Sequence, residues 1–390
     1  MANFNGSLNT NEMYNSIFNM LALVYTYADN LSGLDETLAD RYRTDGGMYH
    51  DQSIYTDMDI VYSRVWDPDD TNVLAPEAVV KPVQQTIKTD QFRQIGLYMD
   101  EYLSKRAWMD ASKYDEFRSV VQKQVRDTKR VFEQKLVDTF VGGVQNGGAQ
   151  DVTLTLPVVA DDAEAQNRLQ AQAIATKIGD MFTDLGDTST KYNKNGFTKS
   201  IKPEDFDIIW NSTYYNKMLF TDLTTIFHNE NLLKKGHIMP SRYFNTTALG
   251  SKTTADGTTI IARREYFIPV DASGAYAAAG PNVTHVFAGD LLPNKTPINS
   301  TGSDTFTNIT TNINGKSRTV KAATSAYAAV LQPKVICKII HKEAIKYLSS
   351  FETQTEFWNP KNLSKNRYLT WAYAEPETLD GYPVITIIAG

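Results

Sequence analysis

Residues 112–141 read SKYDEFRSVVQKQVRDTKRVFEQKLVDTFV, and within them Phe117, Val121, Val125, Thr128, Phe132, Leu136 and Phe140 recur mostly four apart. That spacing lays a single apolar stripe along an α-helix. Ser112 with Asp115 three residues on has the capping-box spacing, which satisfies two otherwise orphan amides at a helix start, and Gly142-Gly143 supplies the stop. At 1.5 Å per residue the helix is about 45 Å long. A rod of that length is expected to lie diagonally across a sheet or along a flattened subunit. A coiled coil is the competing reading, but the stripe lasts only about four heptads and no comparable helix follows closely.

Downstream, Ala163–Leu185 predicts a second helix, with Leu169, Ala173, Ile178, Phe182 and Leu185 on one side. Residues 201–210 then read as a short buried strand ending in Ile208-Ile209-Trp210, with Asn211-Ser212-Thr213 opening another helix that fades near 229–231. Strand, cap and helix make an α/β element. From Phe244 to about Val330 the chain turns to Thr, Asn, Ala and Gly, with short strands at 259–261, 265–270 and 283–287; 274–280 and 299–316 are expected to be exposed. The end returns to order, with strands expected at 334–340, 351–358, 368–373 and 383–388.

Upstream of the long helix, residues 54–68 alternate incompletely: Ile54, Ile60, Tyr62, Val65 and Trp66 stand among Asp57, Asp59 and Arg64. The turn Asp67-Pro68-Asp69-Asp70 follows, and a second extended stretch runs from Val79 to Tyr98. Neither face is apolar enough to hold a free hairpin. Such a segment becomes understandable if neighbouring chains cover it. Residues 11–31 predict a helix on Met13, Ile17, Met20, Leu21 and Val24, and the polar stretch 42–49 an arm across the surface.

Composition narrows the function. The chain has 390 residues, 39 basic and 45 acidic, for a net charge of -6, which argues against a protein built to grip nucleic acid through a basic face. No run approaches 18 apolar residues and the start lacks a secretory pattern, so a soluble chain made inside the cell, with no membrane partner, is expected. The one cysteine, Cys337, sits in an apolar run and reads as a buried, inert thiol.

The usual catalytic signatures are missing from the sequence: no phosphate loop, no His-Glu-x-x-His, no Gly-x-Ser-x-Gly. The five histidines, at 50, 228, 237, 285 and 341, are scattered. Asp57-x-Asp59 and Asp67–Asp70 lack the rest of a calcium loop and read as solvated turns. Lys123, Arg126, Lys129, Arg130 and Lys135 on the long helix are matched by Glu116, Asp127 and Glu133, which reads as a solvated, salt-laced face; Lys234-Lys235 is the other basic patch. Trp358, Tyr368, Trp371 and Tyr373 suit core or interface packing better than base stacking. No catalytic, cofactor-binding or metal residue is assigned.

The order of these elements resembles the major capsid protein of tailed bacteriophages. The wording that carries it is Pro82-Val83-Gln84-Gln85-Thr86-Ile87-Lys88-Thr89-Asp90-Gln91-Phe92, then Asp100-Glu101-Tyr102-Leu103-Ser104, the helix 112–141, and Asp207-Ile208-Ile209-Trp210-Asn211-Ser212. It looks closest to small short-tailed phages of Gram-positive hosts. The resemblance implies an α+β fold: an N-terminal arm with a helix at 1–50, an extended loop hairpin at 51–106, and a peripheral domain at 107–160 with its spine helix at 112–141. An axial domain with a Thr/Asn-rich insertion would cover 161–333, and returning strands 334–390. It also implies no enzymatic activity and no cofactor, and a homo-oligomer of hexamers and pentamers in an icosahedral virion head, assembled in the host cytoplasm. That head would enclose double-stranded DNA with weak, non-specific contact, with scaffolding, portal and decoration proteins as possible partners. A tail or connector protein and a nanocompartment shell are the alternatives.

Overall fold

The computed structural model describes residues 31, 37–45, 52–61, 63, 65, 66, 81–100, 111–143, 151–160, 162–219, 236–244, 252–253, 259–260, 265–274, 277, 282–287, 306–313, 316–323, 334–361 and 364–390. The expected helix at 11–31 and the turn Asp67–Asp70 lie outside them, apart from Leu31. In chain order the elements begin with α1 (Leu38–Tyr42), β1 (Arg43–Asp45), β2 (Gln52–Asp57), β3 (Val83–Lys88), β4 (Gln91–Asp100) and α2 (Ala111–Gly143). Next come β5 (Asp151–Leu154), α3 (Ala163–Gly186), β6 (Phe206–Asn211), α4 (Ser212–Leu219) and β7 (Gly236–Met239). Then follow β8 (Lys252–Thr253), β9 (Thr259–Ile260), β10 (Glu265–Val270), β11 (Asn282–Phe287), β12 (Phe306–Ile313) and β13 (Lys316–Ala323). The chain closes with β14 (Val335–His341), β15 (Ile345–Asn359), β16 (Ser364–Tyr373), β17 (Glu377–Thr378) and β18 (Val384–Ala389).

These elements fall into two compact units, one of residues 1–52, 88–134 and 348–375, the other of 53–87, 135–347 and 376–390. In the first unit the sheet order is β1-β15-β16-β4, with β15, β16 and β4 antiparallel. The body of α2 packs on one face of it. Phe132 meets Trp371 and Tyr373 edge-on at centroid separations of 5.9 and 5.4 Å, and the Arg93 guanidinium lies 4.2 Å above the Phe132 ring. The helix begins at Ala111, one residue before the predicted cap, and among the described side chains of its stripe Phe132 is the first that is fully covered. Val121 and Val125 are half-buried and Thr128 is exposed.

In the second unit the sheet order is β5-β18-β14-β6-β7. Strands β14 and β6 are buried at every position. Their unbroken apolar runs, Val335-Ile336-Cys337 and Ile208-Ile209-Trp210, are those of strands covered on both faces. Ala171, Ile174, Ile178, Met181 and Leu185 of α3 pack with Phe206, Ile208, Trp210, Cys337, Ile339, Ile385 and Ile387. The opposite face carries Lys338, which is fully buried and donates from Nζ to the Val141 carbonyl in the last turn of α2 at 2.8 Å. That carbonyl belongs to the negative end of the helix, a favourable place for a cation. Burial nevertheless pushes the Lys338 ammonium down to about 7, with Asp151 pulling the other way. The helix ends at the expected Gly142-Gly143 pair, where a Cβ on Gly142 would stand 1.9 Å from the Tyr243 carbonyl oxygen. Close backbone approach explains that glycine.

Strand β18 follows every other element in the chain yet is internal to its sheet. It runs parallel to β5 and antiparallel to β14. The Thr/Asn-rich region holds a four-stranded sheet, β11-β10-β13-β12. Its β12–β13 hairpin, Phe306↔Ala323 to Ile313↔Lys316, occupies part of the aperiodic stretch 299–316. Two runs of β-branched residues there, 309–311 and 319–320, pair across strands rather than by any amphipathic period.

Candidate assembly surface

The extended segment begins as a two-stranded ribbon, β2 paired with β3. Its base is clamped. Asp57 accepts from Lys199 Nζ at 2.8 and 2.9 Å and from Asn195 Nδ2 at 2.9 Å, while Asp59 accepts from the Thr198 amide at 2.9 Å. On the other strand Gln85 donates to the Thr378 carbonyl at 2.9 Å and accepts from the Asp380 amide at 3.1 Å. Lys194 pairs with Asp380 at 2.9 Å, and Ile87 is fully buried. Asp57 and Asp59 are therefore not solvated turn residues. Their partners lie about 140 positions away in sequence.

Past the clamp the chemistry inverts. Met58, Ile60, Val61, Val65 and Trp66 are 54–92% exposed, with Val65 and Trp66 most open at 92% and 82%. Five large apolar side chains exposed beyond a clamped stem have the character of an interaction surface. The stretch Val79–Tyr98, expected to be one extended piece, is two strands. Thr89 and Asp90 separate them; β3 pairs with β2, whereas β4 is an edge strand of the first unit's sheet. The face of that sheet opposite α2 is aromatic and open: Phe92, Tyr98, Phe351 and Phe357 are 47–62% exposed.

The long helix also departs from its expected polar face. Lys129 and Glu133 are buried: Lys129 pairs with Glu352 and lies 3.8 Å from Glu133, which accepts from Ser349 Oγ at 3.1 Å and faces Arg43 at 3.8 Å. Arg130 pairs with Asp40 of α1 at 3.5 Å. Of the basic set, Lys123 and Arg126 remain exposed; Lys234-Lys235 lies outside the described residues. Trp371 and Tyr373 are core residues, as expected for packing rather than stacking, and Trp358 is half-exposed. Among the described residues no group of His, Cys, Asp and Glu could hold a metal ion, and no helix is long and apolar enough to cross a membrane. Burial pushes the Cys337 thiol up, out of the range of a nucleophile. Lys199 and Asn195 escaped sequence reasoning, since no local pattern announces the far partner of a carboxylate.

A family model described as Phi29-like phage major capsid protein matches residues 3–373. The chain belongs to that family. Its members are shell proteins, structural rather than enzymatic. Two solved structures are similar in fold at a TM-score of 0.56. One is described as the capsid structure of Staphylococcus phage Andhra, at 11% identity over 95% of this chain and 87% of that one. The other is described as the head fiber and inner core protein gp22 of native bacteriophage P68, at 13% identity over 95% and 89%. A comparison with curated proteins gave no match. The capsid family accounts for the mixed α+β architecture.

Proposed function

We propose that the chain is the head subunit of a tailed phage, most like those of small short-tailed phages of Gram-positive hosts. It assembles as hexamers and pentamers into an icosahedral shell around double-stranded DNA, in the host cytoplasm, alongside scaffolding, portal and decoration proteins. In this reading 1–50 is the arm, 51–106 the extended loop, α2 the spine of a peripheral domain at 107–160, 161–333 the axial domain, and 334–390 its returning strands. Contact with DNA is weak and non-specific, since much of the helix's charge is spent within the subunit.

The observation that carries the reading is the exposed run Met58–Trp66 beyond a clamped base. Full burial of a large apolar side chain contributes about 1.5–3 kcal/mol, so covering five side chains that are already partly buried yields roughly 5–8 kcal/mol gross per subunit. Repeated around a closed shell, a term of that size holds an assembly together.

Replacing 60–82 with a short Gly-Ser linker keeps the clamp residues Asp57 and Asp59 with β2, β3 and β4, and removes all of the exposed side chains but Met58. The expected product is a folded chain that forms no shells by negative-stain microscopy, where the intact chain forms closed particles. Closed particles of normal size from the deletion overturn the reading. So do tubes or twelve-fold rings from the intact chain.

A further inference from the structure

Along β16, Arg367, Leu369 and Trp371 share the face turned toward α2, since strand side chains two apart point the same way and Trp371 meets Phe132 of the helix. Arg367 is 3% exposed, yet its guanidinium is mostly unanswered by the protein. Nε lies 2.8 Å from Glu356 Oε1 without hydrogen-bond alignment, and Nη1 and Nη2 meet no acceptor of the chain. A guanidinium carries five donors, and burying them unmatched leaves their desolvation cost standing. Packing does not close the gap. On the N-terminal side of Phe132 the helix is less well covered, and Val125 there lines a cavity of about 160 Å³ with Arg367, Arg126, Gln122, Gln354 and Glu352. The charges around this cavity do not balance. Glu352 is held by Lys129 and Glu356 stands 3.9 Å from Lys365, whereas Arg126 makes no ion pair among the described residues.

We propose that this cavity is a binding site for a small tetrahedral dianion, inorganic phosphate in its hydrogen phosphate form. Two arginines without a full counter-charge match a double negative charge, and four oxygens can be shared between Nη1 and Nη2 of Arg367, the Arg126 guanidinium and the amides of Gln122 and Gln354. A carboxylate has two oxygens and answers one arginine only. Size excludes larger ligands: pockets for drug-sized molecules start at about 300 Å³. A cavity of about 160 Å³ leaves no room for a nucleoside beside the phosphate. A DNA phosphodiester is a monoanion with a sugar on either side, so it fits neither the charge nor the space. The site is complete within one copy and does not depend on assembly. Bound there, the ion ties α2 to β15 and β16 where side-chain packing leaves them apart.

The test titrates the full chain, as dispersed subunits, with inorganic phosphate at fixed ionic strength and at a pH where phosphate is dianionic. Calorimetry reads binding, and amide exchange of β16 is followed in parallel. The expected result is saturable binding of one phosphate per chain, displaced by sulfate, which shares its shape and charge, and not by chloride or acetate. At ten times the dissociation constant, opening of the β16 amides should slow about tenfold, as binding to the closed form alone requires. Arg367→Gln and Arg126→Gln should each weaken binding about tenfold or more, the loss of a charge-assisted hydrogen bond. Arg367→Lys keeps the charge without the fork and should recover only part of the affinity.

Phosphate binding that never saturates, binding untouched by both arginine substitutions, or equal displacement by acetate would overturn the proposal. A short DNA duplex that displaces phosphate with the same dependence on Arg126 and Arg367 assigns the cavity to nucleic acid and overturns it too. If Arg367→Gln fails to fold, Arg126→Gln still decides, because that side chain is exposed on α2 and its removal leaves the packing of the helix in place.

Discussion

The clamp at the base of the extended segment is expected to set how firmly β2 and β3 are held, and Asp57→Asn probes it with almost no change of volume. Asp57 has three contacts from two partners, Lys199 and Asn195, and the two side chains of the ion pair are 25% and 22% exposed. Well-buried hydrogen bonds to charged groups contribute about 1.5–3 kcal/mol, and exposed ion pairs about 0.2–1 kcal/mol. A pair one-quarter exposed falls between, so the Asp57–Lys199 coupling should be about 1–1.5 kcal/mol. Local opening of the ribbon should then become roughly five- to tenfold more frequent, which hydrogen exchange reads directly on the protected amides of β2 and β3. A double-mutant cycle with Lys199→Met should return the same coupling, shrinking as salt is added. Gly381→Ala should act in the same direction, because its Cβ would stand 2.3 Å from Asp57 Oδ2 and 3.0 Å from Lys199 Nζ. Single effects that sum to within about 0.3 kcal/mol, or ribbon amides indifferent to all three substitutions, would refute the reasoning.

Three further outcomes are expected. Between pH 7 and 10.5 the unfolded chain holds a proton that folded Lys338 has released, so stability rises with pH across that window and is lower at its acid end by up to about 4–5 kcal/mol. Lys338→Met should flatten that slope in denaturant melts at several pH values; a slope left intact places its source elsewhere. Cys337 should react with a thiol reagent only as fast as the second unit opens, and prompt labelling of the folded chain contradicts its burial. Trp66→Ser should leave the thermal melt of dispersed subunits within about 0.5 kcal/mol of wild type while weakening assembly, since the side chain is 82% exposed. A destabilised subunit with normal assembly would reverse that assignment.

Helix α2 and the strand–helix unit β6–α4 were legible because their apolar period or unbroken apolar run is a local property that any window of residues reveals. So were α3 and β14. Lys129 and Glu133 were misread for the same reason: a Lys and a Glu four apart look like a solvated pair unless Arg43, Ser349 and Glu352 are known to converge on them from distant strands. The break at Thr89-Asp90 left no signal, since both flanking strands alternate and only their partners differ. Asp57 announced an acidic group but not Lys199, 142 residues later, which turned a solvated turn into a clamp. The poor self-burial of the extended segment was legible from composition, but its division was not: Asp57, Asp59 and Gln85 anchor the stem within its own unit, while Met58, Ile60, Val61, Val65 and Trp66 stay exposed.

The position of β18 has a consequence for how the second unit closes. Until Val384–Ala389 has docked, β5 and β14 each keep an open edge, because β18 is the strand that joins them. Closure of this sheet therefore waits on a pairing as distant in sequence as Asp151 with Thr386, and a chain cut back before Val384 would leave both edges free to pair with a foreign strand.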